Sequence, residues 1–501
     1  MELLGNLALG FGEVLTVSNL LHAFVGCLLG TLIGVLPGLG PSATIAMLLP
    51  ITFALEPTSA LIMLAGIYYG AQYGGSTTAI LVNLPGEPSS VVTCLDGYRM
   101  ARNGRGGAAL SIAAVGSFFA GCVATLLLAC VAKSMAELAI VFGPAEYFSL
   151  MLLGLIGAVV LAHGSVPKAV AMIVLGLLLG LVGIDVNTGL PRFTFGFPEL
   201  TDGIGAAIVA MGLFGIAEIL VNLEREQVRT VLGQEIRSLM PTREERRRAI
   251  PAVLRGTVIG SALGILPGGG AMLSSFAAYG LEKKVSAHPE RFGTGMVEGV
   301  AGPEAANNAA AQTSFIPLLT LGIPPNAVMA LMVGAMMIHS IQPGPQVMVS
   351  NPALFWGLIA SMWIGNLMLV ILNLPLIAIW VKLLTVPYRL LYPAILLFSC
   401  IGVFSLNSSA FDVFTMIAFG AMGYVFLKLD CEPAPLIMGY VLGPLMEENF
   451  RRALLLSRGD PTVFLTSPIS AGLLAVTTLL FASLLLPSFQ RQRRNLFAED
   501  G

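Results

Sequence analysis

Two stretches of this 501-residue chain carry polar chemistry inside apolar surroundings. The first runs from Tyr68 to Ser90, YYGAQYGGSTTAILVNLPGEPSS, and a looser second edition runs from Asn307 to Asn326, NNAAAQTSFIPLLTLGIPPN. Each has a hydroxyl cluster (Ser76, Thr77 and Thr78; Thr313 and Ser314) followed by a proline or glycine interruption, at Pro85-Gly86 and at Pro324-Pro325-Asn326. Lipid cannot satisfy the backbone groups freed by such a break, so broken helix at bilayer depth implies a wet or protein-lined cavity. A helix that restarts after a break turns unpaired N–H groups toward that cavity with roughly half a positive charge. Restarts are expected at Ser89 and Ala327. Two further ones, at Ser42 and Ala271, follow the tips Pro37-Gly38-Leu39-Gly40 and Pro267-Gly268-Gly269-Gly270. A carboxylate held there needs few basic side chains, and Lys and Arg are missing from the breaks. Ser76, Thr77, Asn83, Asn308, Thr313, Ser314 and Asn326 could add neutral hydrogen bonds, and Gly75, Ser76, Thr78, Glu304, Asn307 and Asn308 are candidates for holding Na⁺ or a proton.

Each reading has a plainer alternative. Serine and threonine on membrane helices commonly bond their own preceding turn or a neighbouring helix. Gly74 and Gly75 could serve close packing, and Glu87 and Glu304 could be solvated at segment edges, although intramembrane carboxylates default to function. His22, His163, His288 and His339 are isolated, without ligand spacing.

The elements that must position these residues are membrane spans. About 56% of the residues are apolar and 11% charged, against roughly 25% charged in a soluble domain. The expected class is an all-α polytopic membrane protein in the lipid bilayer. Near-neutral net charge and the lack of a basic, aromatic-laced run exclude nucleic acid as a partner. The six cysteines are scattered and form neither a disulfide frame nor a zinc site.

The repeat of Gly34-Val35-Leu36-Pro37-Gly38-Leu39-Gly40 as Gly264-Ile265-Leu266-Pro267-Gly268-Gly269-Gly270 divides the chain into two like halves. Residues 1–18 are expected as an N-terminal interfacial segment, 19–222 as the first membrane repeat and 223–253 as a cytoplasmic connector. A second repeat spans 254–446, a periplasmic loop 447–463, and an extra span with a cytoplasmic tail 464–501. If the arms around each tip return to their starting side, twenty-one of the 26 Lys and Arg residues fall on the C-terminal side, which the positive-inside rule makes cytoplasmic. The N-terminus is then periplasmic, and the two repeats are inverted relative to each other. Inverted repeats with discontinuous helices are the build of many secondary transporters.

The motifs GVLPGLGPSATIAMLLP (residues 34–50), YYGAQYGGSTTAILVNLPGEPSSVVTCLDGY (68–98) and GPEAANNAAAQTSFIPLLTLGIPP (302–325) resemble the large membrane subunit of the tripartite tricarboxylate transporters, the TctA family. The likeness runs over roughly residues 15 to 485. It implies a bacterial inner-membrane permease working with a small four-span TctB-like subunit and a periplasmic TctC-like solute-binding protein. Citrate or another carboxylate would be taken up on a cation gradient, Na⁺ before H⁺, with no other cofactor and no enzymatic reaction. Carried over residue by residue, the resemblance places Pro37, Gly38, Gly40, Pro267, Gly268 and Gly270 at the tips. Tyr73, Gly74, Gly75, Ser76, Thr77, Asn83, Pro85 and Gly86 fall in the first broken helix, and Glu304, Asn307, Asn308, Pro324 and Pro325 in the second. The second break has Pro325-Asn326 where the family more usually reads LGIPG, and Ala305 stands where a serine is common, which bears on which carboxylate is carried. Alternating access by hairpin movement is expected by analogy. A stand-alone carboxylate symporter or channel is the rival reading. An intramembrane enzyme is a remote one, lacking a Ser/His or HExxH arrangement near the breaks.

Overall fold

The computed structural model describes residues 2–36, 40–162, 165–185, 188–224, 239–266, 270–383 and 388–485. Pro37, Gly38, Pro267 and Gly268, the middle of the connector, His163 and the tail from residue 486 lie outside the described residues. The described chain is almost wholly helical, its strands being β1 (Gly183–Ile184) and β2 (Pro191–Arg192), an antiparallel pair with Gly183 opposite Arg192.

The first half opens with α1 (Glu2–Val14), α2 (Val17–Val35), α3 (Pro41–Thr52) and α4 (Pro57–Val82). Short helical turns, among them the π stretches Cys94–Tyr98 and Ala101–Arg105, then lead into α5 (Gly106–Ile140), α6 (Pro144–Leu161), α7 (Val166–Gly180) and α8 (Ala206–Glu224). The second half has α9 (Arg243–Gly264), α10 (Gly270–Val285), α11 (Glu298–Thr313), α12 (Phe315–Leu321) and α13 (Ala327–Ile338). It continues with α14 (Pro352–Asn373), α15 (Ile377–Leu383), α16 (Tyr388–Asn407), α17 (Ala410–Lys428), α18 (Pro433–Leu456) and α19 (Pro468–Leu485). Among the described residues five helices are long and apolar enough to cross a membrane: Val17–Val35, Ala101–Glu137, Ala206–Glu224, Pro352–Asn373 and Ala410–Lys428.

Both halves are built on the same seam. In lipid, apolar side chains gain nothing by meeting one another, so helices associate where small residues let backbones touch. On α2, a Cβ at Gly26, Gly30 or Gly34 would lie 2.2, 2.3 or 2.4 Å from the carbonyl oxygens of Met63, Ile67 and Ala71 on α4. On α9, a Cβ at Gly256, Gly260 or Gly264 would lie 2.2, 2.1 or 2.5 Å from those of Gly302, Ala306 and Ala310 on α11. The halves then exchange partners, α5 packing along α11 and α14 along α4, while α7 packs on α18 and α8 on α17.

Several boundaries differ from the sequence reading. The helix expected to stop at residue 446 continues to Leu456, carried through its polar end by the i,i+4 pairs Glu447–Arg451 (2.6 Å) and Glu448–Arg452 (2.5 Å). Residues 243–253, expected in the connector, are the start of α9, where the Thr242 hydroxyl caps Glu245 N–H at 3.2 Å in a reciprocal capping box. The basic segment around Arg99, Arg102 and Arg105 is helical, with its irregularity at Gly104 (φ 74°). The N-terminal segment is a helix laid on α14, where Gly10 meets the Trp356 backbone and Phe11 stacks on Trp363 at 6.0 Å.

The seams generate a test. Gly30→Leu and Gly260→Leu should each destabilise the protein by about 3 kcal/mol or more, the cost of overpacking a site that cannot yield. Gly472→Leu, at a position with nothing within 4 Å, should be neutral. Thermal unfolding in detergent reads the difference, and equal stability of all three variants would refute the role of the seam.

Candidate functional site

Both breaks are present and are built alike. α4 ends at Asn83 in the left-handed conformation (φ 60°, ψ 31°), and the chain restarts at Pro88 with Glu87 as N-cap. α12 ends at Gly322 (φ 72°, ψ 18°) and α13 restarts at Ala327 with Asn326 as N-cap, its side-chain oxygen accepting from Met329 N–H at 3.0 Å. Asparagine and glycine are the residues that tolerate this backbone at a helix end. The first link passes directly over the seam: a Cβ at Gly86 would stand 2.1 Å from Gly34 O and 2.5 Å from Gly75 Cα. Gly75 is small for the same reason, facing the Glu87 side chain.

The four expected helix starts converge on one cavity of about 350 Å³. Gly40, Pro41 and Ser42 bring the start of α3, and Gly270 and Ala271 that of α10. Pro88 and Ser89 bring the turn after the first break, and Pro325, Asn326 and Ala327 the start of α13. Tyr68 and Gln72 of α4 form the wall between the breaks. The far side is closed by Phe214 and Glu218 of α8, Phe276 of α10, and Glu432 with Met438 at α18. Its polar lining is tied together: Ser89 donates to Gln72 Oε1 at 2.9 Å and also meets the Glu87 carboxylate, and Asn326 Nδ2 donates to Ser314 Oγ at 3.2 Å.

Of the residues singled out from the sequence, Gly40, Glu87, Gly270, Pro325 and Asn326 line this cavity, with the expected restarts Ser42, Ser89, Ala271 and Ala327. The hydroxyl clusters do not. They are buried and bond their own preceding turn, Thr77 to Tyr73 O (3.3 Å), Thr78 to Gly74 O (3.3 Å), Thr313 to Ala309 O (3.1 Å) and Ser314 to Ala310 O (2.7 Å), with Thr78 also reaching Val35 O on α2 at 2.8 Å. Asn83, Pro85, Gly86 and Pro324 shape the links. Ser76 and Thr77 instead line a separate chamber of about 10 Å³, with Tyr73, Ser117 and Asn373, beside a buried polar group on α11. There Asn308 Nδ2 donates to Ser117 Oγ (2.7 Å), Glu304 O (3.0 Å) and Asn307 Oδ1 (2.9 Å).

Glu218 and Glu432 were missed, and Tyr68 and Gln72 lay within the quoted stretch without being singled out. The signal for Glu218 was available, since it is a lone carboxylate inside an apolar span.

Among the described residues, three carboxylates, Glu87, Glu218 and Glu432, therefore share a cavity whose lining contains no lysine or arginine. The helix starts offer N–H groups to an anion, and the carboxylates offer oxygen to cations or protons.

A family model described as the tripartite tricarboxylate transporter TctA family matches residues 20–438. An uncharacterized 52.8 kDa protein in the TAR-I ttuC' 3'region of Agrobacterium vitis is 61% identical over 500 residues, covering 100% of both chains. An uncharacterized protein in the TAR-II ttuC' 3'region of the same organism is 61% identical over 241 residues, 48% of this chain and 100% of that one. No solved structure matches.

If the cavity holds the solute, Asn326→Ala should raise the half-saturation concentration for carboxylate uptake about tenfold, the cost of one hydrogen bond to a charged group. Thr313→Ala, which removes only a bond to its own turn, should leave it within about twofold. Vesicle uptake measured over a range of solute concentrations distinguishes them, and the opposite order would move the site to the hydroxyl clusters.

Proposed function

The chain belongs to the tripartite tricarboxylate transporter TctA family, and we propose that it is the large permease subunit of a binding-protein-dependent secondary transporter for tricarboxylates or related carboxylates. The observation that carries this reading is the meeting of four helix starts, two from each half, around one cavity. Such a site suits a carboxylate without basic side chains, because partly charged N–H groups replace the ammonium or guanidinium.

Uptake is coupled to a cation gradient, Na⁺ or H⁺. Carboxyl groups in the cavity and behind its wall give the coupling ion its ligands. Partners are a small four-span TctB-like subunit and a periplasmic TctC-like binding protein. The protein resides in the bacterial inner membrane with its N-terminus periplasmic and its C-terminus cytoplasmic.

The ion pairs are consistent with that arrangement. Arg105–Glu245, Arg248–Glu298 (2.6 Å), Arg255–Glu282 (2.6 Å) and Lys428–Glu224 (2.5 Å) join residues assigned to the cytoplasmic side. Arg192–Glu447 (2.8 Å) and Arg451–Asp185 (3.1 Å) join residues assigned to the periplasmic side. The two halves are inverted repeats, and access alternates by movement of the tip and broken-helix units against the remaining spans, in the manner of an elevator.

Two measurements test this reading. Uptake of a carboxylate panel into vesicles should require both partner proteins together with an imposed cation gradient; full uptake by this chain alone would instead favour the stand-alone symporter or channel. Single cysteines at Arg105 and Gln342 should be labelled from opposite faces of the membrane, and labelling of both from one face would refute the inversion.

A further inference from the structure

Glu304 sits in the middle of α11, 0% exposed. Its carboxyl group contacts the Ser76 and Thr93 hydroxyls, and among the described residues no lysine, arginine or histidine bonds it. The charged and titratable groups on the packed elements are already engaged elsewhere or are acids themselves. On α9 and α10, Arg255 is held by Glu282 at 2.7 and 2.6 Å. After the first break, Asp96 accepts from Gly293, Gly295 and Met296 N–H and from the Tyr279 hydroxyl of α10, at 2.7 to 3.0 Å. The other titratable side chains on the elements packed around it are themselves acids, Glu87 in the cavity, Tyr73 on α4 and Cys122 on α5. An ionised carboxylate so placed has no counter-charge, a costly arrangement in a membrane interior.

Ser76 donates to Glu304 Oε2 and lies 2.9 Å from the Gln72 carbonyl oxygen, and Thr93 donates to Oε1. Two neutral hydroxyls supply no counter-charge, so full burial favours the neutral acid, whose added hydrogen makes the carboxyl a donor as well as an acceptor.

We propose that Glu304 is the residue that carries the coupling proton and that the conformation described here is its proton-loaded state. This rests on the transport reading and names the ion for it. The link to solute is short: Gln72 lines the cavity with its side chain and receives Ser76 with its carbonyl, so Glu304 stands one helical turn behind the cavity wall. The chamber of about 10 Å³ beside Ser76 is lined by Tyr73 and Asn373, whose OH and Oδ1 atoms are buried and, among the described residues, without a protein partner; it has room for about one water.

The test uses the full-length protein in lipid, followed by infrared difference spectroscopy through an alkaline titration. Wild type should show a carbonyl band of a neutral carboxylic acid that vanishes at high pH. Glu304→Gln should lack that band, and Glu304→Asp should restore one at a shifted frequency. A wild type without the band, or an E304Q variant that keeps all of it, would overturn the proposal. In vesicles of the full assembly with citrate as probe, E304Q should lose accumulation driven by a pH gradient while still exchanging solute across the membrane. Undiminished accumulation would again overturn it. Wild-type vesicles that take up no carboxylate would count against the transport reading alone, with the infrared result still deciding Glu304.

Discussion

Backbone touching backbone along two glycine seams is the constraint from which the remaining geometry follows. Gly26, Gly30 and Gly34 on one side, and Gly256, Gly260 and Gly264 on the other, hold α2 on α4 and α9 on α11 in a single register. A side chain at any of these positions would lift the pair apart and slide the tips relative to the breaks. The last glycine of each seam shows why register matters. Gly34 lies under Gly86, where the first link crosses, and the Gly264 carbonyl accepts from Ser314 at 3.3 Å near the second. Each seam thus ends at its own break, so the helix starts that follow tip and break reach the same depth. Van der Waals contact between backbones achieves this where the hydrophobic effect cannot, because the surrounding lipid is as apolar as the side chains.

Within this like-built frame the chemistry is unequal. Glu87 and Asn326 occupy the same structural position, the N-cap of the segment that restarts after a break. One half therefore presents a carboxylate and the other a neutral amide. Glu218 also faces the cavity that the α3 start enters at Gly40, where a Cβ would meet nothing within 4 Å, while a Cβ at Gly270, which opens α10, would meet Asn326 at 3.8 Å. Of the three cavity carboxylates, Glu87 and Glu218 come from the first half and Glu432 from the second. Asp96 has a different task. Its carboxylate, satisfied by three backbone N–H groups and a tyrosine hydroxyl, fastens the segment after the first break to the loop leading into α11. It joins the halves directly behind the cavity.

Much of the frame is legible in residue type and spacing alone. Proline and glycine act locally, so the breaks at Asn83–Pro88 and Gly322–Ala327 and the four restarts were legible from residue type alone. The hydroxyls were misleading because a serine or threonine that bonds its own turn has the same sequence signature as one that meets solute. Only burial and neighbours separate Thr78 or Thr313 from a ligand. Glu218 and Glu432 reach the cavity from spans distant in sequence, and nothing near either residue says which wall it faces. The four-residue glycine spacing was in plain view, yet its partner surface of Met63, Ile67 and Ala71 carries no pattern of its own. Helix ends were misjudged where hydropathy faded before the helix did, as at Glu447–Arg451, where side-chain pairs sustain a polar turn.

The sign of the cavity explains why such a carrier would need a cation at all. Two like charges about 4 Å apart repel by about 4 kcal/mol at the effective dielectric of a partly buried site, nearly three powers of ten in affinity. A helix start returns about 1 kcal/mol, and up to about 2 in favourable geometry. An anion entering beside Glu87, Glu218 and Glu432 in their ionised forms would thus lose more to repulsion than the converging helix starts supply. Adding a cation or proton for each nearby carboxylate reverses the balance, because the acid then becomes a hydrogen-bond donor or a bridge to the solute. Binding of solute and loading of the coupling ion are then one equilibrium. A cavity lined with lysine or arginine would hold the same anion with no such dependence, and would have no physical reason to wait for the gradient.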